Sequence, residues 1–493
     1  QLIAGGLVAM IAVFVFSSLS SHDLPKAIGV ALLILVADAT VLFAPVPPRP
    51  SGRPIVEWAP ILSAYVWRAF QGHNHWRSGA PQQGDLVVRR VGGQEMRLPE
   101  PRHLPPSLQG LEMLSITFEG AGERGFGVLK DRRTRTYTCC LVALGAAAAL
   151  RDEDDQLRSQ HGWAAAIGNF GRPDSPITRV QWIERAVPEE PDAMTGYLEE
   201  KAPKTLPSAY RSYRELLGWA TPASQQHEIL LALQLDPRRC LREAKREGQG
   251  DLDRGAAKIL LREASEFVRQ LGSVELEVLG VLDPSLYARE IRVAYDPDLR
   301  SRRSRIQLAG GERGVDPSRL GPVATNEMLQ SFVSDSGWHR TYHVEQWPRT
   351  RVEPDFLASL LLQTTCLRTV STVMEALPPK AGFRDSQTRM TGQALKGELR
   401  AKLRLIPTFQ HAKEQTAAEQ LDEELAEGHV GIRYSSYVTV TASSEAELDA
   451  AGSQVVQQAG AARLDLTPLV GQQEAAFTYT LPICRGLVRR GRL

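Results

Sequence analysis

The chain lacks the motifs by which most enzymes of its size announce a chemistry. Across 493 residues the phosphate loop GxxxxGK[ST] does not occur. The nearest string, GQALKG at 392–397, puts its lysine before the second glycine. It also lies in a helical context, where the amides that would cradle a phosphate are already paired. HExxH, GxSxG and SxxK are missing as well, which removes the best-known zinc-peptidase, esterase and serine-lysine constellations. No CxxC pair exists. The five cysteines, Cys139, Cys140, Cys240, Cys366 and Cys484, are odd in number and widely spaced, so neither a zinc ribbon nor a thioredoxin-like motif is supported. They read as reduced, packed thiols of a reducing compartment. Charge excess is absent too: 58 Lys and Arg stand against 57 Asp and Glu. The basic footprint of a nucleic-acid binder is therefore missing, and direct nucleic acid is not an expected partner. Neither a cofactor nor a metal is expected. His73 and His75 in QGHNHW are two apart in a loop and read as solvated. His339 and His343 share one strand parity and Trp338 the other, which reads as packing.

What is present begins with apolarity at the start of the chain. Residues 2–19 carry no charge and residues 27–45 are nearly as apolar. Each is about one bilayer core long at roughly 1.5 Å per residue. A short polar link with Pro25 joins them, so the expectation is a transmembrane helical hairpin over residues 1–46. Lys26 in the link, against Arg49, Arg53 and Arg68 after the second run, places the body on the cytosolic side of the plasma membrane. Asp38, ionisable at membrane depth, is a candidate intramembrane contact. Because residue 1 is Gln rather than Met, the numbering is expected to start inside a longer chain.

Residues 47–110 read as a Pro-rich linker and a membrane-proximal region, with a short hairpin around 85–90 and 94–98. From residue 111 the pattern becomes α+β. Strands are expected at 113–119, 125–130, 136–144, 177–185, 227–235 and 274–279, with helices at 153–168, 210–217, 251–272 and 283–294. After a loop-rich connection at 301–337, strands at 339–346, 366–375, 434–442 and 463–466 alternate with helices at 353–361, 385–426, 444–459 and 472–477. The β–α–β rhythm of the two halves, 111–300 and 338–493, suggests tandem ferredoxin-like layers with helices on one face of each antiparallel sheet. A weak basic patch, Arg300, Arg302, Arg303 and Arg305, falls in the connection and reads mainly as a solvated loop.

Particular strings then become informative: IRVAYDP at 291–297, GPVATNE at 321–327, and 437–487, which ends in QQEAAFTYTLPICRGL. With the two apolar runs, they resemble an actinobacterial family of conjugation-associated membrane proteins. Those proteins have a PrgI-like two-helix anchor and a body similar to the N-terminal half of VirB-type conjugation ATPases. The resemblance implies a chain with no motor domain, since the nucleotide motifs are missing. It implies a non-catalytic structural subunit of a type IV secretion or conjugation apparatus, docking a separate VirB-type or other secretion ATPase beside further membrane subunits and the lipid bilayer. In the related ATPases, the segment resembling 471–487 leads into the motor. Gln472, Gln473, Phe477 and Pro482 are therefore candidate docking residues, with the charged stretch 385–426 as a second candidate face. Two other readings stand beside this one: a structural subunit of a type VII secretion membrane complex, and a membrane-anchored enzyme of unknown chemistry.

Overall fold

The computed structural model describes residues 55–78, 86–91, 94–99, 104–117, 125–145, 152–188, 207–220, 225–274, 276–299, 314–348, 352–353, 355–362, 366–388, 391, 420 and 422–487. The chain opens with helix α1 (Ile55–Phe70), strand β1 (His75–Arg77) and a separate hairpin, β2 (Leu86–Val91) with β3 (Gln94–Pro99). Then come β4 (Leu111–Ile116), β5 (Phe126–Asp131), β6 (Thr136–Gly145), α2 (Glu153–Gly168), β7 (Ile177–Pro188), α3 (Pro207–Ala220) and β8 (Gln225–Leu235). Next are α4 (Leu241–Glu247), α5 (Leu252–Leu271), β9 (Leu276–Val281) and α6 (Pro284–Tyr295). The remainder is β10 (Ala324–Glu327), β11 (Phe332–Ser334), β12 (Gly337–Gln346), α7 (Ala358–Leu361), β13 (Leu367–Ala376), β14 (Ile432–Ala442), α8 (Glu445–Ala461), β15 (Asp465–Pro468) and α9 (Gln473–Phe477).

Local chemistry starts the helices where the sequence places them. Asp251 accepts from the amides of Asp253 and Arg254 to open α5, and Asp283, followed by Pro284, accepts from Ser285 and Leu286 to open α6. Ser444 caps α8 by accepting from Glu447. Strand β14 alternates cleanly: Val438 and Val440 face one core, while Tyr437, Thr439 and Thr441 face the other side.

The expected architecture is corrected at the level of the sheet. All strands except β2 and β3 join one 13-stranded antiparallel sheet, in the order β1-β10-β11-β12-β14-β13-β7-β8-β6-β5-β4, with β15 also on β12 and β9 also on β6. Two separate ferredoxin-like layers do not form, because β7 and β13 pair edge to edge from Arg368↔Ala186 to Met374↔Val180. An edge left open in each half would expose a row of unpaired amides, and fusing the two edges removes that cost. Helices also cover both faces rather than one. One face carries α2, α4, α5, α7 and α8 over two apolar cores. The other carries α6, α9 and the segment after α9.

The seam has an internal symmetry. In order and pairing, β4 to β9 correspond to β10 to β15: β6 and β12 are each ten residues long, and β8 and β14 are each eleven. The β7·β13 register is centred on Ile183↔Ser371, where an approximate twofold would relate the halves. β1 and α1 stand outside this repeat.

The membrane expectation is corrected as well. Among the described residues no helix is long and apolar enough to cross a membrane. α1 has 16 residues, interrupted by Pro60 and bearing Glu57 and Arg68, and so spans about 24 Å of a ~30 Å bilayer core. The longest, α5, has 20 residues but is amphipathic and charged on its outer face. Residues 1–46, with the expected hairpin and Asp38, lie outside the described residues. The expected multi-pass plasma-membrane localisation thus finds no span among the described residues.

Candidate functional site

The polar side chains that resemble chemistry converge on the face covered by α6 and α9. β12 places His339 there, fully buried. Its ring lies 4.4 Å from Phe477 and 5.9 Å from Phe332. His339 Nε2 is 2.8 Å from Ser334 Oγ, and Nδ1 is 2.9 Å from Thr441 Oγ1. Ser334 Oγ donates to the Tyr295 carbonyl at 2.8 Å. The serine proton is thus committed to a backbone acceptor, which makes Nε2 the donor to Ser334 and leaves Nδ1 to accept from Thr441. Burial pushes the imidazole down to about 3. The pair has the composition of a nucleophile and its base, but with the proton on the wrong nitrogen and both side chains buried. It is a structural tie.

Beside it, Gln473 of α9 completes the sheet. On one edge of β12, β11 pairs as far as His339 and β15 pairs from Tyr342 onward, so the backbone of Thr341 falls in a gap. The fully buried Gln473 fills it: Oε1 accepts from Thr341 N at 2.8 Å, and Nε2 donates to the carbonyls of Thr341 at 3.2 Å and Leu469 at 3.0 Å. A side-chain amide has the donor and acceptor spacing of a peptide, so it can replace one rung of a ladder.

The segment after α9 then crosses the seam as a clasp. Gln181 on β7 is fully buried. Its Nε2 lies 2.8 Å from Ser371 Oγ, 3.0 Å from Tyr479 O and 2.9 Å from Leu481 O, and its Oε1 accepts from Cys484 N at 2.6 Å. Arg179 donates to Cys484 O at 2.9 Å, Tyr287 to Pro482 O at 2.6 Å, and Thr439 meets Thr480 at 2.9 Å. Tyr437 donates to Gly486 O. Arg485 donates to Ser107 O and pairs with Asp131 at 2.8 Å. Gly486 has φ +96°, and a Cβ there would lie 2.7 Å from Tyr479 Cγ and 2.8 Å from Tyr437 Cε2, so glycine alone fits.

Three sequence strings meet at the same place. Arg292, in 291–297, donates to the Gly321 carbonyl at 3.3 Å and pairs with Asp335. Glu327, in 321–327, accepts from Glu474 N at 3.2 Å. Tyr295 packs on Phe477 with ring centroids 4.8 Å apart. Arg68 brings α1 into the group, reaching Glu327 at 3.0 Å and Gly471 O at 2.8 Å. Burial raises the Glu327 carboxyl above its ordinary range, against the pull of Arg68.

Of the expected docking residues, Gln473, Phe477 and Pro482 are buried within the chain and Gln472 is half-buried. The structure brings them together, but as interior. Asp38 and the patch Arg300, Arg302, Arg303 and Arg305 lie outside the described residues. Of the charged stretch 385–426, only residues 385–388, 391, 420 and 422–426 are described. There Ser386 donates to Asp422 at 2.9 Å. Among the described residues no group of three or more His, Cys, Asp and Glu is arranged to hold a metal. The five cysteines form no disulfide, and burial pushes the Cys139 thiol up to about 12. From the sequence, no GxGxxG is expected to follow a strand, yet GAGERG at 120–125 has that spacing and comes after β4 in chain order, with the antiparallel strand β5 next among the described elements. Gln181, Glu327 and the committed state of His339 also escaped the sequence reading. Their one sequence signal is a polar side chain at an inward strand position. A comparison with protein-family models and with curated proteins finds no match to this chain.

Proposed function

We propose that the chain is a non-catalytic assembly subunit of a type IV secretion or conjugation apparatus, which docks an ATPase supplied by another chain. The observation that supports this best is the convergence of the three strings. Residues 291–297, 321–327 and 437–487 are far apart in sequence, and with the two apolar runs they carry the resemblance to the conjugation-associated family, whose body is similar to the N-terminal half of VirB-type ATPases. In the fold they are tied through Arg292–Gly321, Glu327–Glu474 and Tyr295–Phe477. A resemblance resting on one packed unit is a stronger pointer than three unconnected strings. The non-catalytic part of the reading is supported by the polar interior: His339, Ser334, Gln181 and Gln473 direct their donors and acceptors at backbone and hydroxyl partners. Because the docking residues first expected are interior, the partner-facing surface is the exterior of this unit.

Affinity capture from the native host, with mass spectrometry of co-purifying proteins, tests the proposal. A VirB-type ATPase is the expected companion, and the purified chain alone is expected to turn over no ATP. Recovery of the chain with no secretion component, or robust hydrolysis by the isolated chain, would sink it.

A further inference from the structure

The sheet has four outer strands whose far edge carries no partner among the described residues: β1, β9, β15 and β4. Three are protected in ways that discourage pairing. β1 has three residues, with His75 and Arg77 exposed. β15 has four and ends on Pro468. β9 carries Gly280 at φ +152° beside a register shift against β6. β4 runs for six residues, LEMLSI, against β5. It has no proline, glycine or bulge, and its one charged residue, Glu112, is held by Arg132 at 2.7 Å. Met113, Leu114 and Ile116 are only half-buried at the end of the sheet, where they flank the two cores on its opposite faces.

The repeat shows what belongs at that edge. β4 corresponds to β10, whose outer edge is filled by β1: the pairs run His75↔Asn326 to Arg77↔Ala324, and Glu327 N donates to Asn74 O at 2.8 Å. In β4 the phase of the ladder is set by Arg132 N donating to Gly110 O at 2.8 Å. That turns the amides and carbonyls of residues 112, 114 and 116 toward β5, and those of Met113 and Ser115 outward. Within the chain, the two halves already join through equivalent strands, β7 with β13, antiparallel and about an approximate twofold.

We propose that β4 is a homodimer interface, pairing antiparallel with β4 of a second copy. Leu114 lies on the twofold opposite its counterpart, and Met113 exchanges backbone hydrogen bonds with Ser115 of the partner subunit. This continues the mode of the internal seam. It is isologous, so it closes at two chains, and the protected strand at the far end of the sheet prevents growth into a filament. A second copy also covers the half-exposed apolar residues of both edges at once. The inference stands apart from the secretion reading, since it concerns self-association alone.

The test is the molar mass of the purified chain by sedimentation velocity over a hundredfold concentration range. A concentration-dependent dimer is expected. Met113→Pro removes one outward donor while leaving the β5 rungs intact, and Ser115→Lys places a charge against the partner edge. Each is expected to weaken the dimer at least tenfold, with the unfolding midpoint of the monomer serving as the check on folding. Leu114→Cys is expected to give an oxidant-dependent covalent dimer that the parent chain does not form, because facing residues of a non-hydrogen-bonded pair lie about 4.5 Å apart at Cα. A strictly monomeric parent chain overturns the proposal. So does a dimer that ignores both edge substitutions and yields no Leu114→Cys cross-link.

Discussion

At the scale of single residues, the buried side chains of His339, Gln181 and Gln473 have their donors and acceptors committed to named partners. His339 makes this measurable. Its folded-state value is about 3, against about 6.5 for an exposed histidine. The neutral ring belongs to the fold, so its contribution is fully present above about pH 6.5 and is lost as pH falls toward 3. Stability contributed by this one group therefore declines as pH falls through that window. Glu327 acts in the opposite sense: its raised carboxyl favours the fold as pH falls through the raised value. Denaturant unfolding at steps between pH 7 and 4 is expected to show a descending stability limb. His339→Gln, which keeps a donor and an acceptor, is expected to flatten that limb. An unchanged slope in the variant would assign the limb to other groups.

Among the elements, close approach matters more than propensity. Gly255 sits inside α5, where replacement by Ala ordinarily gains about 1 kcal/mol of helix stability. Here a Cβ would lie 1.7 Å from the Ala244 carbonyl oxygen and 3.0 Å from Gly248 N, because α4 rests directly on the first turn of α5. Overpacking of this kind costs about 1–3 kcal/mol and outweighs the propensity gain. Gly255→Ala is therefore expected to lower the unfolding midpoint, while Gly460→Ala near the end of α8, with no atom within 4 Å of its added Cβ, serves as the neutral-to-stabilising control. Equal midpoints for the two variants would refute the contact argument.

For the whole molecule, the clasp decides whether two repeats behave as one body. Residues 478–487 satisfy buried groups on both halves: Gln181 and Arg179 on β7, Ser371 on β13, Thr439 and Tyr437 on β14, and Tyr287 on α6. Each buried group orphaned by its removal costs about 1–3 kcal/mol, against a total of about 5–15 kcal/mol for a typical domain. Truncation after Phe477 is expected to abolish cooperative unfolding, with loss of near-ultraviolet dichroism and gain of dye binding. A truncated chain that unfolds at the parent's midpoint would make the clasp dispensable.

Much of this was legible in the sequence at the level of elements. Periodicity located α2, α5, α6, β6, β8, β12 and β14 to within a few residues, because each carries an apolar stripe or alternation that any burial would select. The Asp283-Pro284 pair and the Ser443-Ser444 pair mark helix starts by local hydrogen bonding alone, with Ser444 the one that caps. The short strands β1, β10 and β11 were missed, since three or four residues hold no period. The candidate site was read only in part. Residues 472–482 stood out as strings, yet their place in the interior depended on a ladder gap at Thr341 and a seam at Gln181, both made by strands distant in sequence. The repeating strand–helix order and the cap chemistry follow from neighbours along the chain and so are present in the primary structure. That the two halves share one sheet, that helices cover both of its faces, and that residues 478–487 form a clasp comes from the assembled fold. Edge pairing and polar satisfaction are set by residues hundreds of positions apart, and no local pattern encodes them.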